Sequence, residues 1–207
     1  MSQPQTMNEL VSSAGCAKVL QLRSTLWGDS FMKRASCSLL LITILAAAAP
    51  VVAQDSDEIM KELEATAVIE LKVMVPMRDG VGLATDIYRP ADSEEPVPTV
   101  FMRTPYNFNL WRDGELKARG LKMAKTAIKK GYAFVVQNER GRYFSEGEWD
   151  ILGPPKTDGY DALTWIAEQE WSNGKVGTIG CSSSAEWQMG LAALDHPAHA
   201  DMIPQGF

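Results

Sequence analysis

Gly180-Cys181-Ser182 follows the apolar run Val176–Ile179 and precedes a helical stretch. Strand, sharp turn and helix together form the setting in which a serine hydroxyl becomes a nucleophile. The turn pushes the side chain out at the top of a sheet, and the N–H groups of the helix start face any oxyanion formed there. Strand and helix approach closely only if the residues two before and two after the serine are small. Here they are Gly180 and Ser184, with the equally small Cys181 and Ala185 alongside. Ser183 and Ser184 are rival hydroxyls. Ser184 also has a small residue two places earlier, but it falls inside the helix start, so Ser182 is the preferred nucleophile. The competing interpretation is that a serine-rich turn only caps the helix.

Such a nucleophile needs a base to take its proton and a carboxylate to orient that base. In a sheet of this kind the chain order is serine, acid, histidine. The sequence contains two histidines, His196 and His199, and it stops 25 residues after Ser182. Both histidines follow the helix that begins at the elbow, and its roughly ten residues carry them about 15 Å away. They are expected at the helix end, beside the negative end of its dipole. A metal held by both lacks an evident third ligand. Asp158 and Asp161 precede the serine, the wrong order for the acid; Asp158 reads as an N-cap and Asp161 as a first-turn carboxylate. Cys181 reads as a small buried filler, since a thiol nucleophile would need a nearby histidine.

The elements that must carry these residues follow from periodicity and turn signals. Asp55 to Ala67 is a short helix or a loose lead-in. Val68–Val75 and Leu83–Tyr88 are strands around the Arg78-Asp79-Gly80 turn, an antiparallel hairpin. Pro90 to Pro98 is a loop, Thr99–Arg103 a strand, and Thr104 to Asn107 a loop. Leu116, Leu121, Met123, Ala127 and Ile128 predict an amphipathic helix over 115–130, closed by Gly131. Tyr132–Val136 and Val176–Cys181 are buried strands. A long loop covers 139–153, and it holds Arg140 and Glu146, which either border the site or are solvated surface charge. Asp158 to Trp171 is a helix ended by Ser172-Asn173-Gly174, and Ala185–Leu194 is the helix after the elbow. A further strand starts at Met202–Ile203. Strands alternating with helices of this length make βαβ units and a mostly parallel sheet.

The N-terminal part reads differently. Met32-Lys33-Arg34 is a positive start, Leu39 to Ala53 is a 15-residue apolar stretch, and Val51-Val52-Ala53 offers small residues for cleavage. Fifteen residues fall short of the roughly 20 that span a bilayer. Residues 32–53 therefore read as a secretory signal peptide, implying a secreted or periplasmic protein with no membrane partner after cleavage. Residues 1–31 are an upstream extension; either Met32 is the true start or the leader begins unusually early. Residues 54–67 form a lead-in, and 68–207 the folded unit. Of the overall net charge of −6, residues 1–53 hold +2, leaving −8 on the 154 residues that follow. That charge disfavours nucleic acid and anionic membrane as partners. Only Cys181 remains past the leader, so no internal disulfide is available.

Several separate blocks carry a resemblance. They are Val75-Pro76-Met77-Arg78-Asp79-Gly80-Val81 with Leu83; Tyr88-Arg89-Pro90; Arg103-Thr104-Pro105-Tyr106; Asn138-Glu139-Arg140-Gly141-Arg142 with Ser145-Glu146-Gly147; Asp158-Gly159-Tyr160-Asp161; and Trp171 to Gly177. From about Glu70 onward the chain resembles the cocaine esterase / glutaryl acylase / X-Pro dipeptidyl-peptidase family of α/β-hydrolases. The family elbow is similar to Gly-x-Ser-Tyr-x-Gly; this chain has Ser183 for the Tyr and Ala185 for the last Gly. The resemblance implies an α/β-hydrolase fold, truncated after the strand that follows the elbow. It also implies hydrolysis of an ester, acyl amide or short X-Pro peptide through an acyl-enzyme on Ser182. The Ser183 backbone N–H and the Tyr106 phenol would be the oxyanion donors; by itself a loop tyrosine at 106 signals only surface packing. No metal or cofactor is implied. The chain is expected to be the first part of a longer hydrolase and inactive alone. The alternatives are a non-catalytic binding protein and one subunit of a split hydrolase.

Overall fold

The computed structural model describes residues 56–108, 111–112, 115–116, 120–150 and 156–206; the expected signal peptide and upstream extension lie outside them. Helix α1 (Ser56–Thr66) leads into strands β1 (Ala67–Pro76), β2 (Gly82–Pro90) and β3 (Val97–Thr104). A two-residue ribbon follows, β4 (Trp111–Arg112) with β5 (Glu115–Leu116), then α2 (Leu121–Lys129) and β6 (Ala133–Asn138). The chain continues through α3 (Lys156–Ala167), β7 (Ser172–Cys181), α4 (Ser183–Ala192) and β8 (His199–Gln205).

Six strands form one sheet in the order β1-β2-β6-β3-β7-β8. β1 and β2 are the expected antiparallel hairpin, and β2 meets β6 antiparallel. β6, β3, β7 and β8 run parallel to one another. Because successive strand residues face opposite sides, Val100 and Phe134 enter one core and their neighbours Phe101 and Val135 the other. α1 and α2 cover the first face through Ile59, Leu63, Leu121 and Ala124. α3 and α4 cover the second through Leu163, Ile166 and Leu191. Fully burying a Leu or Phe side chain contributes about 1.5–3 kcal/mol, so these two layers hold the helices on the sheet and fix its carboxyl edge. The lead-in is a packed helix rather than a loose segment: beyond its buried apolar face, Glu62 pairs with Lys125 at 2.5 Å and with Lys129 at 2.6 Å.

Three local expectations change. The helix expected from Glu115 starts only at Leu121, and Glu115–Leu116 pair with Trp111–Arg112 as an antiparallel ribbon. The intervening Asp113-Gly114 is a strong tight-turn dipeptide, and that local preference outweighs a single apolar residue at helical spacing. α3 starts two residues before Asp158 and ends at Ala167. Ser172-Asn173-Gly174 opens β7 instead of closing a helix, since Ser172 already pairs with Val97. β1 also carries an irregularity between Glu70 and Val73. There Lys72 takes φ 56° and directs both its backbone N–H and its ammonium to the buried Asp86 carboxylate, each at 2.8 Å.

Candidate active site

The elbow forms where β7 ends. Ser182 adopts φ 57° and ψ −132°, a backbone combination that costs of order 1–3 kcal/mol for a residue with a Cβ. Its N–H donates to the Gln205 carbonyl of β8 at 2.9 Å, and its carbonyl accepts from Ala185 at 2.6 Å. The turn is so tight that a methyl at Gly180 would overlap the Ser184 backbone carbonyl. Ala185 is fully buried beneath it. The Ser182 hydroxyl makes no capping hydrogen bond to α4, and the residue is exposed. The helix-cap role for this serine is thereby set aside. Ser184 is also resolved: its buried hydroxyl donates to Thr104 Oγ1 at 2.7 Å.

Sheet order decides what stands beside Ser182. β3 neighbours β7, so the loop leaving β3 passes the elbow. From it the Tyr106 phenol donates to Ser182 Oγ over a long 3.4 Å. The Ser182 hydroxyl first, then the Ser183 hydroxyl and the Ser183 backbone N–H, hold this phenol below the usual tyrosine range; desolvation opposes them. The Tyr106 phenol thus meets both the exposed Ser182 hydroxyl and the Ser183 N–H at the start of α4. Tyr106 is 45% exposed, but its backbone is pinned on both sides. Its N–H donates to Thr104 Oγ1 at 3.1 Å, and its carbonyl accepts from Asn138 Nδ2 at 3.0 Å. Arg142 Nε adds a 3.0 Å bond to the preceding Pro105 carbonyl.

Beneath this rim lies a buried ion network that the sequence did not announce. Arg103 and Asp158 are each 1% exposed and meet at 3.1 Å. Arg140 reaches the other Asp158 oxygen at 2.8 Å and Asp79 at 2.8 Å. Asp158 is therefore not an N-cap; it sits inside the first turn of α3 and bridges two guanidiniums. Asp161 is in the same helix but pairs outward with Arg78 at 2.6 Å. Arg140 is not solvated surface charge, being only 11% exposed. Glu146 accepts the Gly82 N–H at 2.8 Å. Burial pushes the Glu139 carboxyl up, against the pull of Arg103, and Trp149 Nε1 donates to it at 3.3 Å. Cys181 is only half-buried, on the turn itself, rather than a core filler.

The histidines stand at the far end of the same strands. His199 pairs with Val176, and Gln205 with Cys181; five residues at about 3.3 Å separate those levels by roughly 17 Å. His196 Nδ1 accepts the Ala198 N–H at 3.0 Å, which leaves Nε2–H to donate to Thr164 Oγ1 at 2.9 Å. His199 Nε2 lies 3.0 Å from Thr178 Oγ1. Burial lowers both pKa values. Neutral imidazoles gain little from a helix dipole, so hydrogen bonds hold them rather than the charge effect expected above. Among the described residues no group of three or more His, Cys, Asp or Glu is placed to hold a metal ion, and no helix is long and apolar enough to cross a membrane.

Residues 79–206 match the family described as X-Pro dipeptidyl-peptidase (S15 family). The chain belongs to that family. The S15 chain is 40% identical to cocaine esterase of Rhodococcus sp. (strain MB1 Bresler) over 125 residues, which is 59% of this chain and 21% of that protein. It superposes on an α-amino acid ester hydrolase with TM-score 0.55 and 27% identity, covering 81% of this chain and 28% of the other. A CocE/NonD family hydrolase from Staphylococcus aureus gives TM-score 0.56 at 27% identity, covering 67% and 27%. The fold is thus that of the α/β-hydrolases. The chain spans about a fifth of the length of the curated relatives it matches.

Proposed function

We propose that this S15 chain carries the nucleophile and the oxyanion donors of a serine hydrolase acting on ester or amide bonds. Its substrates are small esters, acyl amides or short peptides. The observation that carries this is the strained, uncapped Ser182 with the Tyr106 phenol 3.4 Å from its hydroxyl. Ser182 Oγ attacks the carbonyl carbon and its proton passes to a base. The Ser183 N–H and Tyr106 O–H hold the developing oxyanion. As the tetrahedral adduct collapses, the leaving alcohol or amine takes the proton and the acyl group stays on Ser182. Water then releases the acid by the same steps. A preorganised donor of this kind lowers the barrier by roughly 3–4 kcal/mol. Neither His196 nor His199 serves as the base, so the base reaches Ser182 from outside the described residues.

The decisive experiment uses the protein as its native host makes it. An active-site phosphonate is added and the adduct is mapped by mass spectrometry. Hydrolysis of p-nitrophenyl esters and of X-Pro anilides is compared before and after Ser182→Ala. An adduct on Ser182 and loss of turnover are expected; unchanged turnover in Ser182→Ala would falsify the proposal. The ratio of ester to anilide turnover sorts esterase from peptidase. A mature N-terminus at Gln54 would accord with the secretory leader and a secreted or periplasmic location.

A further inference from the structure

The two oxyanion donors come from different elements, Tyr106 from the β3 exit and Ser183 from the first residue of α4. Their spacing must be set by something that touches both. Ser184 Oγ donates to Thr104 Oγ1 at 2.7 Å, one residue beyond Ser183. The same oxygen accepts the Tyr106 N–H at 3.1 Å. Thr104 is 3% exposed and Ser184 4%, so water does not compete for this bridge. Asn138 Nδ2 completes the frame by donating to the carbonyls of Thr104 at 3.2 Å and Tyr106 at 3.0 Å.

We propose that Thr104 is a positioning residue, whose hydroxyl joins the Tyr106 loop to the elbow through Ser184 and sets the gap in which the oxyanion forms. This rests on the hydrolase reading above. A purely structural role is the bland alternative, but α4 is already seated on β3 by a second bond, Trp187 Nε1 to the Arg103 carbonyl at 3.0 Å. Phe101 packs edge-on against the same indole at 5.5 Å. The helix thus has supports on β3 besides the hydroxyl bridge. The bridge's distinctive place is between the donors. Misplacing a reacting geometry by about 1 Å can cost on the order of a hundredfold in rate.

The test compares Thr104→Val, Thr104→Ser and Ser184→Ala in the protein from its native host, with Ser182→Ala in parallel. Two readouts are taken. One is kcat and KM on an ester; the other is the titration midpoint of the Tyr106 phenol, read as ultraviolet difference absorbance against Tyr106→Phe in each background. Thr104→Val should lower kcat by about 10- to 100-fold with KM little changed. It should also move the phenol midpoint upward. Ser184→Ala should do the same to a smaller extent, and Thr104→Ser should restore both readouts. The proposal is overturned if kcat and the phenol midpoint stay put in Thr104→Val and Ser184→Ala, or if Thr104→Ser restores neither. If Thr104→Val does not fold, Ser184→Ala against Thr104→Ser decides on the same criteria. If Ser182→Ala keeps full turnover, the hydrolase reading fails instead, and the phenol midpoint alone judges the bridge.

Discussion

At its C-terminal end β7 delivers Ser182, exposed, strained and free of any capping bond. At the level of Val176, the same strand runs beside His199, whose ring is tied to Thr178, with His196 tied to Thr164 just outside. The residue types at the two ends are those a hydrolase would combine, yet the fold keeps them roughly 17 Å apart. One end stores backbone strain and presents an exposed hydroxyl to the Tyr106 phenol; the other ties its imidazoles to threonine hydroxyls and lowers their pKa by burial. The difference teaches that environment, and not residue type, separates a candidate nucleophile from a structural side chain. A histidine with both ring nitrogens engaged, as His196 is, has a structural part to play, whereas a serine held at φ 57° without a cap bond to its helix has the geometry the proposed nucleophile needs.

The sharpest way to break this comparison is to exchange the roles. Ser182→Ala should cut hydrolysis by the host-made protein by on the order of 10⁴-fold or more, while His196→Ala should leave the rate per folded molecule unchanged. A rate that falls with His196 instead would reverse the assignment. Residues 1–207 made alone, with no histidine at Ser182, should show no ester turnover in a direct assay, and measurable turnover lost with Ser182→Ala would contradict that.

Beneath the serine end lies the buried Asp158, and removing it tests what supports that rim. Asp158→Ala leaves Arg103 and Arg140 without their shared carboxylate, which should cost about 3–5 kcal/mol of stability. Urea unfolding midpoints measure it; a shift under about 1 kcal/mol would mean the pair is not structural. Tyr106→Phe sharpens the reactive end alone. It should reduce kcat by roughly 10²–10³-fold while leaving the unfolding midpoint nearly in place.

The smallest effect belongs to the histidine end. Burial holds both imidazoles below their ordinary pKa, so below about pH 6.5 the unfolded chain binds more protons than the folded one. Their contribution is complete above that pH and is lost as pH falls toward the folded-state values. Urea midpoints measured from pH 8 down to pH 5 should therefore decline on the acid side, and His196→Ala should flatten part of the decline. It should also cost about 1–3 kcal/mol at neutral pH by stranding its partners. A pH-independent contribution from His196 would show that the ring is not held neutral.

How much of this was legible beforehand depends on the range of the interaction. Residues read their own neighbourhood well. The hairpin around Arg78-Asp79-Gly80, the buried strands at 132–136 and 176–181, and the small residues around Ser182 are all local signals, set by periodicity and by what a tight turn can accommodate. The helix wrongly extended back to Glu115 also failed locally, where a tight-turn dipeptide competed with helical spacing. Tertiary structure alone decided the rest. That β3 lies beside β7 is what brings Tyr106 to Ser182, 76 residues apart in sequence. Asp158 has the signature of a helix cap, yet a guanidinium 55 residues away claims it, because a buried charge must find its counter-charge wherever the sheet places one. Thr104 and Ser184 look like a strand end and a helix start. Only when the two elements dock do their hydroxyls face each other across the site.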